Sequence, residues 1–344
     1  MKNIYFVILA GGSGERLWPL SRHARPKQLI PFLDNTSLLE QTLARISPLV
    51  ACAQQVVVVT NKVHEGAVRD LIGDQVGTII AEPEGRNTAP AILWACHRIK
   101  VMDPQALVVV LPADAYVPDR DAFCELIAHG ANYLEREDDI VLFGLQPTYP
   151  ATGYGYIEAD TACSLGEHET FRVVRFCEKP DLLKAQAYVA MGNMLWNIGI
   201  FAASVSTFLR EFDMHVPDVV TAFGNFMANK NPYAHVPSIS IDYAVLEKSS
   251  RLVVLPALFE WYDVGNLSVF LSLQERYAQQ GSSVINILGQ GNLASAHKKL
   301  VVCVGVSDLC VVETDDALLI VHQDAVEHVK KAIPEVKKVS AASL

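Results

Sequence analysis

The sequence predicts an α/β protein: a doubly wound, mainly parallel sheet, followed by a small β-rich unit at the C-terminal end. Three observations carry that prediction. Short Val- and Ile-rich runs alternate with longer amphipathic stretches over the first 145 residues, the pattern of strands buried on both faces and joined by crossover helices. After residue 150 the texture changes to mixed strands and helices. Beyond a GSS linker at 281–283, short Val-rich segments are separated by Gly and Asp pairs. With 344 residues, 51% of them hydrophobic, the chain is expected to form one large domain, 1–280, and one small domain, 281–344.

Taken in order, IYFVILA (4–10), QVVVVT (55–60), TIIA (78–81), ALVVVLP (106–112) and DIVLFGL (139–145) have strand length and composition. SLLEQTLARISPL is a helix whose Ser37 precedes a glutamate by three residues, a capping-box spacing. NTAPAILWACHRIKVM puts Ile92, Ala95, Cys96, Ile99 and Met102 on one helical stripe, with Pro90 tolerated in the first turn. GYGYIEA, FRVVRFCEKP, WNIGIFAA and RLVVLPA read as further strands. DLLKAQAYVAMG, most of 204–248 and NLSVFLSLQERYAQQ read as helical. KKLVVCVGV and LCVVETDDALLIVH supply the final strands, and AVEHVKKAI a closing helix; no exact repeat is visible.

A net charge of −10 argues against a nucleic-acid or anionic-membrane surface, so any anionic ligand must be met by local cations. Seven scattered cysteines (Cys52, Cys96, Cys124, Cys163, Cys177, Cys303, Cys310) without a CxxC pair favour reduced thiols and a cytoplasmic location. Only about seven apolar residues precede GGSGER, too few for a signal peptide, and no run reaches membrane-helix length.

Ligands of open parallel sheets sit where the strands end and loops begin. Three such loops are chemically unusual: GGSGERLWPLSRHARPK, EPEGRNTAP and PADAYVPD. Glycines let backbone amides approach an anion, and Arg16, Arg22, Arg25 and Lys27 follow within fifteen residues, enough charge to neutralise a polyphosphate. The dinucleotide fingerprint fails because Leu17 stands where a third glycine is needed after Gly12 and Gly14, and no Gly-Lys-Ser/Thr completes a P-loop. A plain structural turn remains the alternative reading of the glycines. Asp114, by itself, reads equally as a turn cap, and Lys179 as an ordinary surface lysine.

LAGGSGERLWPLSRHARPKQL resembles the signature of sugar-1-phosphate nucleotidyltransferases, in the form of their mannose-1-phosphate guanylyltransferase branch. EPEGRNTAPAI, PADA, PATGYGYIE, FCEKP, WNIGIF, IDYAVLEK, WYDVG and the tail GVSDLCVVETDDALLI are similar to that branch's blocks in order and spacing, so the likeness spans nearly the whole chain. The resemblance implies a Rossmann-like, GT-A-like catalytic domain with a β-helix-like C-terminal domain. It implies a reaction of GTP with mannose 1-phosphate to give GDP-mannose and pyrophosphate. The nucleophile is a phosphate oxygen already ionised at pH 7, which agrees with the absence of a catalytic histidine motif. Carried onto this sequence, Ala10, Gly11, Gly12 and Gly14 would meet the nucleotide, with Arg16 and Lys27 on the triphosphate. Glu82, Arg86, Asn87 and Thr88 would face the nucleotide and its base. Asp114 and Asp263 would ligate Mg²⁺, while Gly153, Glu178, Lys179 and Asn197 would take the sugar phosphate. A homodimer is also expected.

Two positions depart from the family's pattern. Glu15 stands where a small hydroxyl residue is common, and is expected to point away from the nucleotide. Ala115 replaces a frequent histidine after Asp114. The alternatives are another sugar phosphate or nucleotide, or a non-catalytic homologue, against which the retained Arg16, Lys27, Asp114, Lys179 and Asp263 argue. A dehydrogenase is excluded by the glycine pattern, and a fused isomerase is not expected within 344 residues.

Overall fold

The computed structural model describes residues 3–12, 14–165, 169–278, 284–296 and 299–339. The large sheet contains β1 (Ile4–Ala10), β2 (Val56–Asn61), β3 (Thr78–Glu82), β4 (Leu107–Pro112), β5 (Ile140–Leu145), β6 (Tyr156–Ser164), β7 (Phe171–Cys177), β8 (Met194–Ser204) and β9 (Leu252–Ala257). Across the sheet they run β3-β2-β1-β4-β8-β5-β9-β7-β6. The first four are joined by parallel ladders, as are β5 and β9. β8 lies antiparallel between β4 and β5. Strands β1 to β5 and β9 therefore share one direction, with β8 threaded against them.

The helices are α1 (Leu38–Ile46), α2 (Glu65–Ile72), α3 (Thr88–Met102), α4 (Arg120–Leu134), α5 (Leu182–Met191), α6 (Val205–His215), α7 (Pro217–Met227), α8 (Leu267–Tyr277) and α9 (Val329–Val339). They cover both faces of the sheet, because alternate strand residues point to opposite sides. Val7, Val57, Val59, Val108 and Val110 pack with Ile92, Ile99, Phe208, Phe212 and Phe223 of α3, α6 and α7. Phe6, Ile8, Val56, Val58 and Val109 pack with Leu39, Leu43, Val68, Phe123 and Ile127 of α1, α2 and α4. Each such large apolar side chain contributes about 1.5–3 kcal/mol when fully buried. The capping box at Ser37 and Glu40 forms as expected. Of the α3 stripe only Met102 departs, lying 37% exposed at the C-terminal end of the helix.

In the C-terminal unit, β10 (Val284–Ile287) pairs in parallel with β12 (Val301–Val304), and β11 (Leu293–Ser295) with β13 (Leu309–Glu313). Val284 faces Val301 and Leu293 faces Cys310, one constant offset that makes successive coils of a β-helix although the sequence shows no repeat. β14 (Leu318–His322) closes the unit antiparallel to β13. Leu293, Cys310, Val312, Val326 and Val329 share a core with Leu17, Trp18, Phe270 and Leu271 of the first part of the chain. The GSS linker expected at 281–283 lies outside the described residues. Among the described residues no helix is long and apolar enough to cross a membrane.

Candidate active site

The loop after β1 folds back on its own beginning. The carbonyl of Ala10 accepts from Gln28 Nε2 at 2.8 Å and from Thr60 Oγ1 at 2.9 Å. Gly14 adopts φ +68°, and a Cβ there would meet Lys27 Cβ at 2.6 Å and its backbone nitrogen at 2.8 Å. Any other residue would displace Lys27. Gly11 faces open space and Gly12 only the far end of Lys27, so both backbones are accessible to an anion. Lys27 runs inward along these glycines, 12% exposed, and its ammonium lies 2.7 Å from Asp114 Oδ2. Burial works to lower the Lys27 pKa, but Asp114 and Asp263 outweigh it and the net shift is upward, so the ammonium stays charged.

Asp114 and Asp263 are 149 positions apart in sequence numbering but are brought together by a two-residue ladder in which Tyr262–Asp263 pairs antiparallel with Ala115–Tyr116. Val264 N–H donates to the Asp114 carbonyl at 3.3 Å. Burial raises the Asp263 pKa, and the field of Asp114 adds to it, while Lys27 and Arg16 oppose. Ala115, where the family pattern often has histidine, is 2% exposed and serves this ladder. Beneath it lies Arg45 of α1, 4% exposed, whose Nη1 donates to the Ala115 carbonyl at 3.3 Å and whose guanidinium sits 5.0 Å from the centre of the Phe123 ring. Burial draws the Arg45 pKa down to about 10. Sequence reasoning passed over Arg45; the available signal was its place in the buried helical row Leu38, Thr42, Arg45.

Glu82 ends β3 and is 5% exposed, with Tyr233 Oη donating to its Oε1 at 2.5 Å. Burial pushes its pKa up to about 7, with the Tyr233 hydrogen bond working the other way. Arg86 pairs with Glu84 at 3.0 Å. Asn87 holds φ +66° and ψ −171°, a conformation rarely tolerated outside glycine, and its side chain caps Thr88 N–H at 2.9 Å. Thr88 Oγ1 in turn accepts from Ile241 N–H at 2.8 Å.

On the other side of β4, Asn197 lies where β8 bulges: its Oδ1 accepts from Gly199 N–H at 3.1 Å and its Nδ2 donates to Asp242 Oδ1 at 3.2 Å. Its backbone N–H donates to the Gly155 carbonyl at 2.8 Å. The Glu178 carboxylate packs so closely on Gly155 that a Cβ there would lie 2.6 Å from Oε2. Lys179 reaches back to Glu178 Oε1 at 2.9 Å, with its backbone at φ +47°, strained for a long side chain. Burial raises Glu178, followed by the field of Asp242, and burial likewise raises Asp242. Gly153 stands in open space at the mouth. Tyr149, Tyr154, Trp196 and Trp261 form a chain of edge-on rings beside it, with centroids 4.8 to 5.5 Å apart. The sequence alone assigns no role to Gly155 or Asp242; the signal for Asp242 is an acid inside an otherwise apolar run, here the π-helical turn Asp242–Leu246.

The row of four cations divides. Lys27 points inward, and Arg16 lies at the mouth with its Nε 2.9 Å from Glu327 Oε2, leaving exposed Glu15 aside. Arg22 and Arg25 are instead engaged away from the glycines. Arg22 pairs with Asp316 at 2.7 Å and donates to Thr314 at 3.3 Å, while Arg25 donates to the Leu29 carbonyl at 3.4 Å. Asp316, in the turn that follows β13, thus anchors the loop.

Across the strand ends, these groups fall in sequence. Glu82 ends β3, the glycine loop follows β1, Asp114 follows β4, and Asn197 lies on β8. β3 and β1 are two interstrand spacings apart, roughly 10 Å, a span that suits a nucleoside laid across strand ends with its phosphates toward β1.

Comparison with known proteins agrees with this arrangement. Residues 5–280 match the family described as nucleotidyl transferase, and 282–336 match a MannoseP isomerase/GMP-like beta-helix domain. The xanthan biosynthesis protein XanB of Xanthomonas campestris pv. campestris is 37% identical over 98% of this chain and 74% of its own length. A mannose-1-phosphate guanylyltransferase of Escherichia coli (strain K12) is 37% identical over 97% of this chain and 73% of its own. The crystal structure of a mannose-1-phosphate geranyltransferase from Thermus thermophilus superposes with a TM-score of 0.84 at 33% identity, covering 97% of this chain and 99% of that one. On the family match over most of its length, the chain belongs to the nucleotidyl transferases.

Proposed function

We propose that the protein transfers GMP from GTP to mannose 1-phosphate, releasing pyrophosphate and GDP-mannose. The observation that carries this reading is the order of groups along the strand ends: a buried acid for a base, glycines and cations for phosphates, two carboxylates, then acceptors for a sugar. The relatives named for mannose-1-phosphate guanylyl transfer support the choice of sugar and nucleotide.

In the reaction an oxygen of the sugar phosphate attacks the α-phosphorus of GTP. The new P–O bond forms as the bond to the β-phosphate breaks, and pyrophosphate departs with the electron pair. No general base is required. Backbone amides of Gly11, Gly12 and Gly14, with Ala10 beneath, orient the phosphates, and Arg16 and Lys27 balance the charge gathering on the leaving group. Lys179 holds the sugar phosphate, while Glu178, Asn197 and Gly153 frame the hydroxyls. Glu82, Arg86, Asn87 and Thr88 form the nucleotide end. Among the described residues no group of three or more His, Cys, Asp or Glu is placed to hold a metal ion, but the pair Asp114 and Asp263 fits Mg²⁺, which takes one or two carboxylates and completes its shell with water and phosphate. When bound there, Mg²⁺ supplies further neutralisation of the phosphate oxygens. A cytoplasmic homodimer is part of the same proposal.

A pyrophosphate-release assay across four nucleoside triphosphates and several hexose 1-phosphates tests the reading. GTP with mannose 1-phosphate is expected to give the highest kcat/KM. Preference for another pair would overturn the assignment of substrate while leaving the chemistry.

A further inference from the structure

Glu327 has no part in the scheme above. It belongs to the helical turn Gln323–His328 of the C-terminal unit, yet both its carboxylate oxygens contact the catalytic part. Oε2 lies 2.9 Å from Arg16 Nε, and Oε1 accepts from Asn266 Nδ2 at 3.1 Å. Asn266 caps α8 three residues after Asp263, so one carboxylate links the glycine loop to the segment carrying the second metal-candidate acid.

The side chains of the pair are half exposed, 46% for Arg16 and 51% for Glu327. Their attachments are fixed all the same: Leu17 and Trp18 beside Arg16, and Val326 and Val329 around Glu327, are buried in one core. Arg22 with Asp316 makes a second link between the same two regions. Packing thus delivers the carboxylate to the guanidinium, while solvent keeps the pair weak, a few-fold in equilibrium, and open to exchange.

We infer that Glu327 is a positioning residue for nucleotidyl transfer, contributed by the C-terminal unit: it holds Arg16 at the mouth of the loop before the triphosphate arrives and takes it back as pyrophosphate leaves. The inference rests on the reading of Arg16 as a triphosphate contact. A triphosphate outcompetes one carboxylate for the guanidinium because it offers several charged oxygens. Glu327 is then left beside a polyanion, which weakens retention of the product.

The test is steady-state kinetics of the full chain with Mg²⁺, GTP and mannose 1-phosphate, and with pyrophosphate as product inhibitor. Glu327→Gln keeps the shape and the acceptor for Asn266 and removes the charge. The KM for GTP and the inhibition constant for pyrophosphate are both expected to fall about two- to five-fold, more at low salt than at high. In an Arg16→Ala background the same change is expected to lose this effect. Constants that stay equal or rise in Glu327→Gln, while Arg16→Ala weakens GTP and pyrophosphate, would overturn the inference alone. If Arg16→Ala leaves both constants untouched, the triphosphate reading of Arg16 falls, and the inference with it.

Discussion

At the glycine loop the two substrate-facing cations each meet a carboxylate, Lys27 with Asp114 and Arg16 with Glu327, whereas near Asn197 three carboxylates, Glu178, Asp242 and Glu247, lie in one another's field with Lys179 among them. The two ends face different chemical groups. Phosphates bring their own negative charge, so the loop end keeps cations charged and lends them to acids until a ligand arrives. Sugar hydroxyls are uncharged and need acceptors, so the other end keeps carboxylates crowded and short of neutralisation, and burial with Asp242 holds Glu178 above the usual range. A polyanion has no strong hold on the acidic end, and a sugar has no use for the cationic one. The contrast in charge is what orients the substrates.

The sharpest way to break the comparison is Asp114→Asn. It removes one of the two carboxylates fitted to Mg²⁺ and the partner of Lys27, so kcat is expected to drop by about 10³-fold or more. The melting temperature should change little, since Asp114 is partly exposed and its backbone carries the ladder. Near-normal turnover would remove Asp114 from the metal site. Lys179→Ala acts on the other end only: the KM for mannose 1-phosphate is expected to rise about 10- to 100-fold with that for GTP unchanged. An effect confined to GTP would put Lys179 at the wrong end.

Arg45→Met probes the support beneath the two acids. It replaces a buried cation by an apolar chain of similar length, a change that stability tolerates when packing is kept. Loss of the hydrogen bond to Ala115 should let the ladder shift and lower kcat about 5- to 10-fold, with a higher Mg²⁺ concentration needed for half-maximal rate. Unchanged Mg²⁺ dependence would confine Arg45 to the core.

How much of this was legible depends on whether the signal was local. β1 to β5 matched the sequence reading to within a residue because burial on both faces leaves unbroken apolar runs. The three unusual loops were found by their composition and by following predicted strands of a parallel sheet. The insertion of β8 against its neighbours was not legible, since a strand's sequence carries no mark of its direction. The meeting of Asp114 and Asp263 depends on a ladder of two residues per strand, too short for any periodicity. Arg22 and Arg25 could not be told from Arg16 and Lys27, because what separates them is Asp316 and Leu29 arriving from the fold. Roles for Glu327 and Asp242 likewise exist only through distant partners.

The smallest expected effect concerns the base end, where Glu82 and Tyr233 form a buried pair. Burial raises the Glu82 pKa to about 7, so over the range from its ordinary value of 4.5 up to about 7 the folded chain holds a proton that the unfolded chain has released. Stability from this group is therefore fully present below about pH 4.5 and is lost as pH rises through about 7. Glu82→Gln has no such proton, so the difference in unfolding free energy between variant and wild type should move in the variant's favour across that window and stay level above it. Chemical denaturation at pH 5, 6, 7 and 8 measures this. The charged carboxylate can also accept from both the ring N–H and the amino group of guanine, which adenine does not present together, whereas an amide cannot accept twice on one edge. The preference for GTP over ATP is expected to fall about 10-fold in Glu82→Gln, and the KM for GTP in wild type should fall as pH rises through 7 while the variant's stays flat. If the stability window appears and the nucleotide preference does not change, Glu82 is a buried structural pair with Tyr233, and the base is read by the neighbouring Asn87 and Thr88 backbone instead.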